Sequence, residues 1–176
     1  LGLETDINLN YLKLTGTSSI ETNANTLSPV YLEIATDTEL DLTNAVNSET
    51  GIDLAGDSSI AYTGEGLLLK YVSVGGFSLT LNENITRLKA ESIWLTNDYD
   101  ENRPNYMTDT GRFLSQGVNV TLTKSLWLDK GKFEMGGGTL TLEQGGEIRD
   151  GGELDLSNSV LELSGPFYNY QATGTL

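Results

Sequence analysis

The stretch GTLTLEQGGEIRDGGELDLSNSVLELSG, residues 138–165, decides how this chain is read. It carries three apolar-x-apolar triplets, Leu140-Thr141-Leu142, Leu154-Asp155-Leu156 and Leu161-Glu162-Leu163, with Ile148 between the first two. Glycine pairs separate them at Gly145-Gly146 and Gly151-Gly152. Alternation of apolar and polar residues is the period of a strand with one face buried, and glycine pairs mark tight corners. The first and third triplets lie 21 residues apart, so the pattern returns after one circuit.

Working outward, the same unit recurs along most of the chain. One series reads Leu12-Lys13-Leu14, Leu32-Glu33-Ile34, Ile52-Asp53-Leu54, Val72-Ser73-Val74, Ile93-Trp94-Leu95, Phe133-Glu134-Met135 and Leu154-Asp155-Leu156. Phe113 holds the place between the fifth and sixth of these. A second series runs through Leu40, Ile60, Leu79, Val120, Leu140 and Leu161, and a looser third through Leu27, Val46, Leu67, Leu88, Met107, Leu126 or Leu128, and Ile148. A fixed period near 20 residues with three strand registers is the mark of a coil stacked on itself. The expected fold is all-β: a right-handed parallel β-helix of about nine coils, each of 20–21 residues with three short strands. Handedness follows from the usual chirality of parallel crossovers. Residues 1–176 are expected to form a single solenoid domain with an irregular loop at about 97–110.

Composition narrows the chemistry. Lys and Arg total 10 against 25 Asp and Glu, a net charge of −15. Nucleic acids and anionic membranes need basic patches, so neither is expected as a partner. Cysteine and histidine are absent, which removes disulfides, thiolate metal sites and the commonest general base. No apolar run approaches the length of a membrane helix, so no membrane insertion of this segment is expected. The chain opens on Leu1 rather than Met and is read as a mature or excised portion.

The interruption between Leu95 and Phe113 is read as a loop replacing two sides of one coil, because Phe113 returns in phase. Loops raised on a rigid scaffold are where binding residues gather. This one holds Asp98, Asp100, Glu101 and Asp109, the hard oxygen ligands Ca²⁺ prefers, together with Tyr99 and Tyr106. No known calcium-loop spacing accompanies them, and an ordinary solvated loop is the simpler reading. No cofactor is expected; Ca²⁺ is the one metal for which these four residues stand as candidate ligands.

Outward positions of the first series form a ladder: Lys13, Glu33, Asp53, Ser73, Trp94, Leu114, Glu134, Asp155. Trp94 beside Leu114 is expected as an exposed apolar stripe, and Trp94, Tyr99 and Tyr106 are the candidate ligand-binding residues. Trp127 is expected to face out from another side. The adjacent pairs Glu33/Asp53 and Glu134/Asp155 have the spacing of paired acids in glycoside hydrolysis. Parallel in-register stacking of an acidic protein produces such neighbours without any catalytic purpose, and no catalytic residue is assigned.

Residues 138–165 resemble the degenerate repeats of bacterial surface parallel β-helix proteins, the autotransporter passenger domains and filamentous-haemagglutinin-type adhesins. The resemblance covers most of the chain as a pattern and implies an extracellular or cell-surface location. It also implies a non-enzymatic structural or adhesive module of a surface protein or filament. Partners would be other protein chains, through end-to-end or lateral solenoid contacts, or host and matrix glycans. The alternative is a carbohydrate-binding or polysaccharide-degrading β-helix, since similar coils build lyases, hydrolases and tailspikes.

Overall fold

In the computed structural model, the described residues are 5, 7–14, 27–35, 38–41, 48–62, 66–82, 84–95, 111–149 and 151–170. All their regular structure is β. Sixteen strands form two parallel sheets that wind together as a β-solenoid.

The wide sheet stacks β1 (Ile7–Leu14), β2 (Leu27–Ala35), β4 (Gly51–Ala55), β6 (Leu67–Ser73), β8 (Arg87–Leu95) and β10 (Asn119–Asp129) in succession. Beyond β10 it divides. The first half of β10 pairs with β12 (Thr139–Leu142) and then β15 (Val160–Leu163); its second half pairs with β13 (Gly146–Arg149) and then β16 (Phe167–Asn169). The narrow sheet stacks β3 (Thr38–Asp41), β5 (Ser58–Ala61), β7 (Ser78–Leu81), β9 (Arg112–Leu114), β11 (Lys132–Glu134) and β14 (Glu153–Asp155). The expected three strands per coil are therefore met only after β10. Before it, long strands such as β6 and β8 carry two registers without a break. The six narrow-sheet strands bound about five complete turns, fewer than the nine expected.

Alternation along each strand sends one set of side chains inward. Leu32, Ile34, Ile52, Leu54, Ile60, Leu79, Phe113, Val120, Leu126, Phe133 and Leu140 are all fully buried and belong to one apolar cluster. Phe113 and Phe133 stack with ring centroids 4.7 Å apart. Ladders of this kind fix the register, because a slip of one residue would expose the whole inward set. Val46 and Met107 of the third series lie outside the described residues.

Corners need left-handed backbone. Gly136, Gly137 and Gly138 all have positive φ, and a Cβ on Gly138 would lie 2.5 Å from the Gly117 carbonyl oxygen of the coil before. Only glycine fits so close a passage of one corner over the next.

Register corrects the sequence reading in one important respect. Phe113 does not follow Ile93. It pairs with Leu79 and Phe133 on the narrow sheet, whereas Ile93 pairs with Leu126 on the wide one. Far more chain runs from Leu79 to Phe113 than from Phe113 to Phe133, although each span is one step along the same ladder. The coil between is thus lengthened rather than deprived of two sides. Its extra chain, added to the ordinary step from wide face to narrow face, makes up one full period. Phe113 falls in phase with Ile93 by that coincidence. All three sequence series therefore pass to a different face, or to the other half of the wide sheet, across residues 96–110.

Candidate functional site

Outward positions of the wide sheet build the most distinctive surface. Successive register partners give one column of Tyr11, Tyr31, Gly51, Tyr71, Ser92 and Ser125. A second column beside it reads Lys13, Glu33, Asp53, Ser73, Trp94, Trp127, Glu147 and Tyr168. Trp127 is therefore on the same face as Trp94, one coil on, not on another side. Leu114 lies elsewhere, between Thr80 and Glu134 on the narrow sheet, so the expected Trp94/Leu114 stripe does not form.

Five of the eight tyrosines and both tryptophans of the chain fall on this face, Tyr170 following Tyr168 on the same side of the strand path. Parallel stacking places successive members of a column about 4.8 Å apart, which is ring-stacking distance. Tyr11 and Tyr31 stack at 5.3 Å between centroids, Tyr71 and Trp94 at 5.0 Å, and Tyr168 and Tyr170 at 5.8 Å. Trp94 itself is only partly exposed beside Tyr71, whereas Trp127 keeps 47% of its surface in solvent.

Carboxylates hold the tyrosine rings in place. The Tyr11 hydroxyl donates to Glu33 Oε2 at 2.6 Å, and Lys13 pairs with the same carboxylate. Tyr71 donates to Asp53 Oδ2 at 3.5 Å, and Tyr31 also reaches Asp53. Burial, then the Asp53 charge and hydrogen bond, push the Tyr71 phenol up to about 12. Burial and Asp53 raise Tyr31 as well, with smaller contributions from the charges on Tyr71 and Glu33. Gly51 makes room: a Cβ there would sit 2.2 Å from Tyr71 Cε1, so the Tyr71 ring crosses directly over that glycine. Further along, Arg149 pairs with Glu147 and lies 5.3 Å from the Tyr170 ring centroid.

The two carboxylate pairs are adjacent as expected, but each is engaged. Glu33 and Asp53 serve the tyrosines. Glu134 and Asp155 flank Lys132, whose Nζ lies 3.4 and 3.5 Å from them and 2.9 Å from Glu153, while Arg112 pairs with Glu134. The Glu153 hydrogen bond leads in pushing Lys132 up to about 12, and the Arg112 hydrogen bond leads in holding Glu134 below the usual carboxylate range. These contacts describe ion ladders that neutralise stacked charge.

The remaining candidates, Asp98, Tyr99, Asp100, Glu101, Tyr106 and Asp109, lie outside the described residues. Among the described residues no three acidic side chains gather as a metal site, and no helix is long and apolar enough to cross a membrane. Sequence reasoning found Trp94 but missed Trp127, Tyr71, Tyr168 and Tyr170 as its companions. For Trp127 the signal was an outward aromatic one coil from Trp94, which the lengthened coil hid. No family model, curated protein or solved structure matches the chain.

Proposed function

We propose that this chain is a non-enzymatic structural and adhesive β-solenoid module of a cell-surface protein or extracellular filament. One observation carries the reading: a stiff ladder of coils gathers five tyrosines and both tryptophans on one outward face, with Tyr11, Tyr31 and Tyr71 held by carboxylates. Outward aromatic surface is costly to keep in water unless it meets a partner. Carboxylates occupied by tyrosines and cations favour contact over catalysis, since a general acid or base needs a free reach to its substrate. The likeness of residues 138–165 to autotransporter and filamentous-haemagglutinin-type repeats supports an exported, surface-exposed setting.

End-to-end contact is a second partner mode this reading includes. Leu163 continues the inward ladder of buried Leu142, yet it is 47% exposed on β15. Such a strand accepts a further parallel strand, from the next coil of a longer chain or from another copy.

The test is adhesion. Beads coated with the chain should attach to glass carrying gelatin or polysaccharide, and a Trp127→Ala/Tyr168→Ala variant should detach at lower shear. Soluble sugar should not be released from any polysaccharide offered. Sugar release, or no attachment to any surface, would overturn the reading.

A further inference from the structure

We propose that the aromatic face is a docking track for an uncharged, extended polysaccharide lying along the solenoid axis, with Trp127, Trp94, Tyr168 and Tyr170 as stacking rings. This rests on the adhesive reading and names its ligand class.

Placement is the first argument. The outward column of the narrow sheet reads Ser59, Thr80, Leu114, Glu134 and Asp155, and the other half of the wide sheet reads Leu68, Lys89, Thr121, Thr141 and Glu162. Neither holds an aromatic. Among the described residues, outward rings are thus confined to one face, where solubility alone gives no reason to gather them.

Shape is the second. The rings follow the axis in a line, with Trp94 and Trp127 on adjacent coils and Tyr168 and Tyr170 beyond the Glu147 rung, and Ser73, Ser92 and Ser125 lie beside the rings. Protein hot spots instead cluster at a centre and are sealed by a rim. A pyranose ring is about as long as the spacing between coils, so successive sugars of a straight chain would meet Trp94, Trp127, Glu147 and Tyr168 in turn. Their C–H faces stack on aromatics, and the intervening hydroxyl and carboxylate groups accept or donate to sugar hydroxyls.

Charge is the third. Within the track, Lys13 answers Glu33 and Arg149 answers Glu147. With Asp53 left without a cation beside it in the column, the face is weakly negative on a chain of net charge −15. That field repels acidic polysaccharides and a second copy of the same face, but not a neutral glycan. Tyr11 and Tyr71, tethered through Glu33 and Asp53 further along the same face, would lose little freedom if the glycan extends to them.

The experiment is affinity electrophoresis of the whole chain in gels carrying hydroxyethyl cellulose or galactomannan, with alginate as the acidic comparison. Retardation is expected in at least one neutral gel and not in alginate. The Trp127→Ala/Tyr168→Ala variant should lose affinity by about tenfold or more, since about 1.4 kcal/mol of stacking is a factor of ten. Both residues are half exposed, so the fold should survive, as circular dichroism would show. Leu68→Ala, exposed on the other half of the sheet, should bind as the parent does. Retardation in no neutral gel, or in alginate alone, overturns the proposal, as does binding that the double variant keeps. Beads that adhere to gelatin through the same two residues while no neutral gel retards the chain would overturn the glycan ligand and leave the adhesive reading standing. Beads that adhere nowhere would overturn both.

Discussion

Trp94 and Trp127 are register partners on adjacent coils although the longest connection between neighbouring wide-sheet strands after β4 separates them in the chain. β10 still lies in line with β8 across that extra chain, with one shift of register between Leu122 and Ser125. The adjacency of the two outward tryptophans depends on this pairing.

A disulfide can test it directly, because the chain contains no cysteine. Ser92 and Ser125 lie with their hydroxyl oxygens 3.0 Å apart. Ser92→Cys/Ser125→Cys should oxidise readily, and closing a loop of this length should stabilise the protein by about 3–4 kcal/mol. Free thiols would be counted before and after oxidation. Ser92→Cys/Arg112→Cys, the pair that a strictly uniform period would bring together, should stay reduced.

Phe113 and Leu114 should respond very differently to truncation. Phe113 is fully buried against Phe133, so Phe113→Ala should cost about 3–5 kcal/mol in denaturant unfolding. Leu114 faces outward on the narrow sheet and should cost under about 1 kcal/mol. Similar losses at both positions would contradict the assignment of inside and outside.

Tyr71 gives the solenoid an alkaline limit. Its phenol is raised from 10.0 to about 12 in the folded chain. The neutral form is therefore favoured by folding, so its contribution is complete below pH 10 and is lost as pH rises towards 12. Tyr71→Phe should flatten the stability profile in that window, followed by thermal melts at stepped pH. At neutral pH the variant should lose about 0.5–1.5 kcal/mol with its hydrogen bond to Asp53.

Gly51 should resist substitution for a reason that is not conformational. Any Cβ there meets the Tyr71 ring, so Gly51→Ala should swing the ring outward and break its reach to Asp53. The expected signature is a Tyr71 titration that moves back towards the ordinary phenol range, read by tyrosinate absorbance. Stability should fall by about 1 kcal/mol.

Lys132 should act as the neutralising post of the narrow sheet. Lys132→Met leaves Glu134, Glu153 and Asp155 close together, with Arg112 paired to Glu134. Melting temperature should drop at neutral pH, and added salt should restore part of the loss by screening. A variant equally stable in low and high salt would show that the ladder contributes little.

Much of the architecture was legible in residues 138–165 and in the triplets around Leu32, Ile52, Val72 and Ile93. Alternation and period are local properties, and inward or outward direction follows from them by simple counting. Glycine corners such as Gly136-Gly137-Gly138 were legible for the same reason, since positive φ depends on the residue itself. What counting could not give was which coil each triplet stacks upon after an irregular stretch. Phe113 and Trp127 have the same local pattern whether the series resumes in phase or changes face. Only packing chooses, through the ladder that joins Phe113 to Leu79 and Phe133, and Trp127 to Trp94. The sequence alone thus determined that the chain winds and which side chains point out. The tertiary structure decided which outward side chains become neighbours, because stacking between coils is non-local and an insertion that completes a full period leaves the apparent phase unchanged.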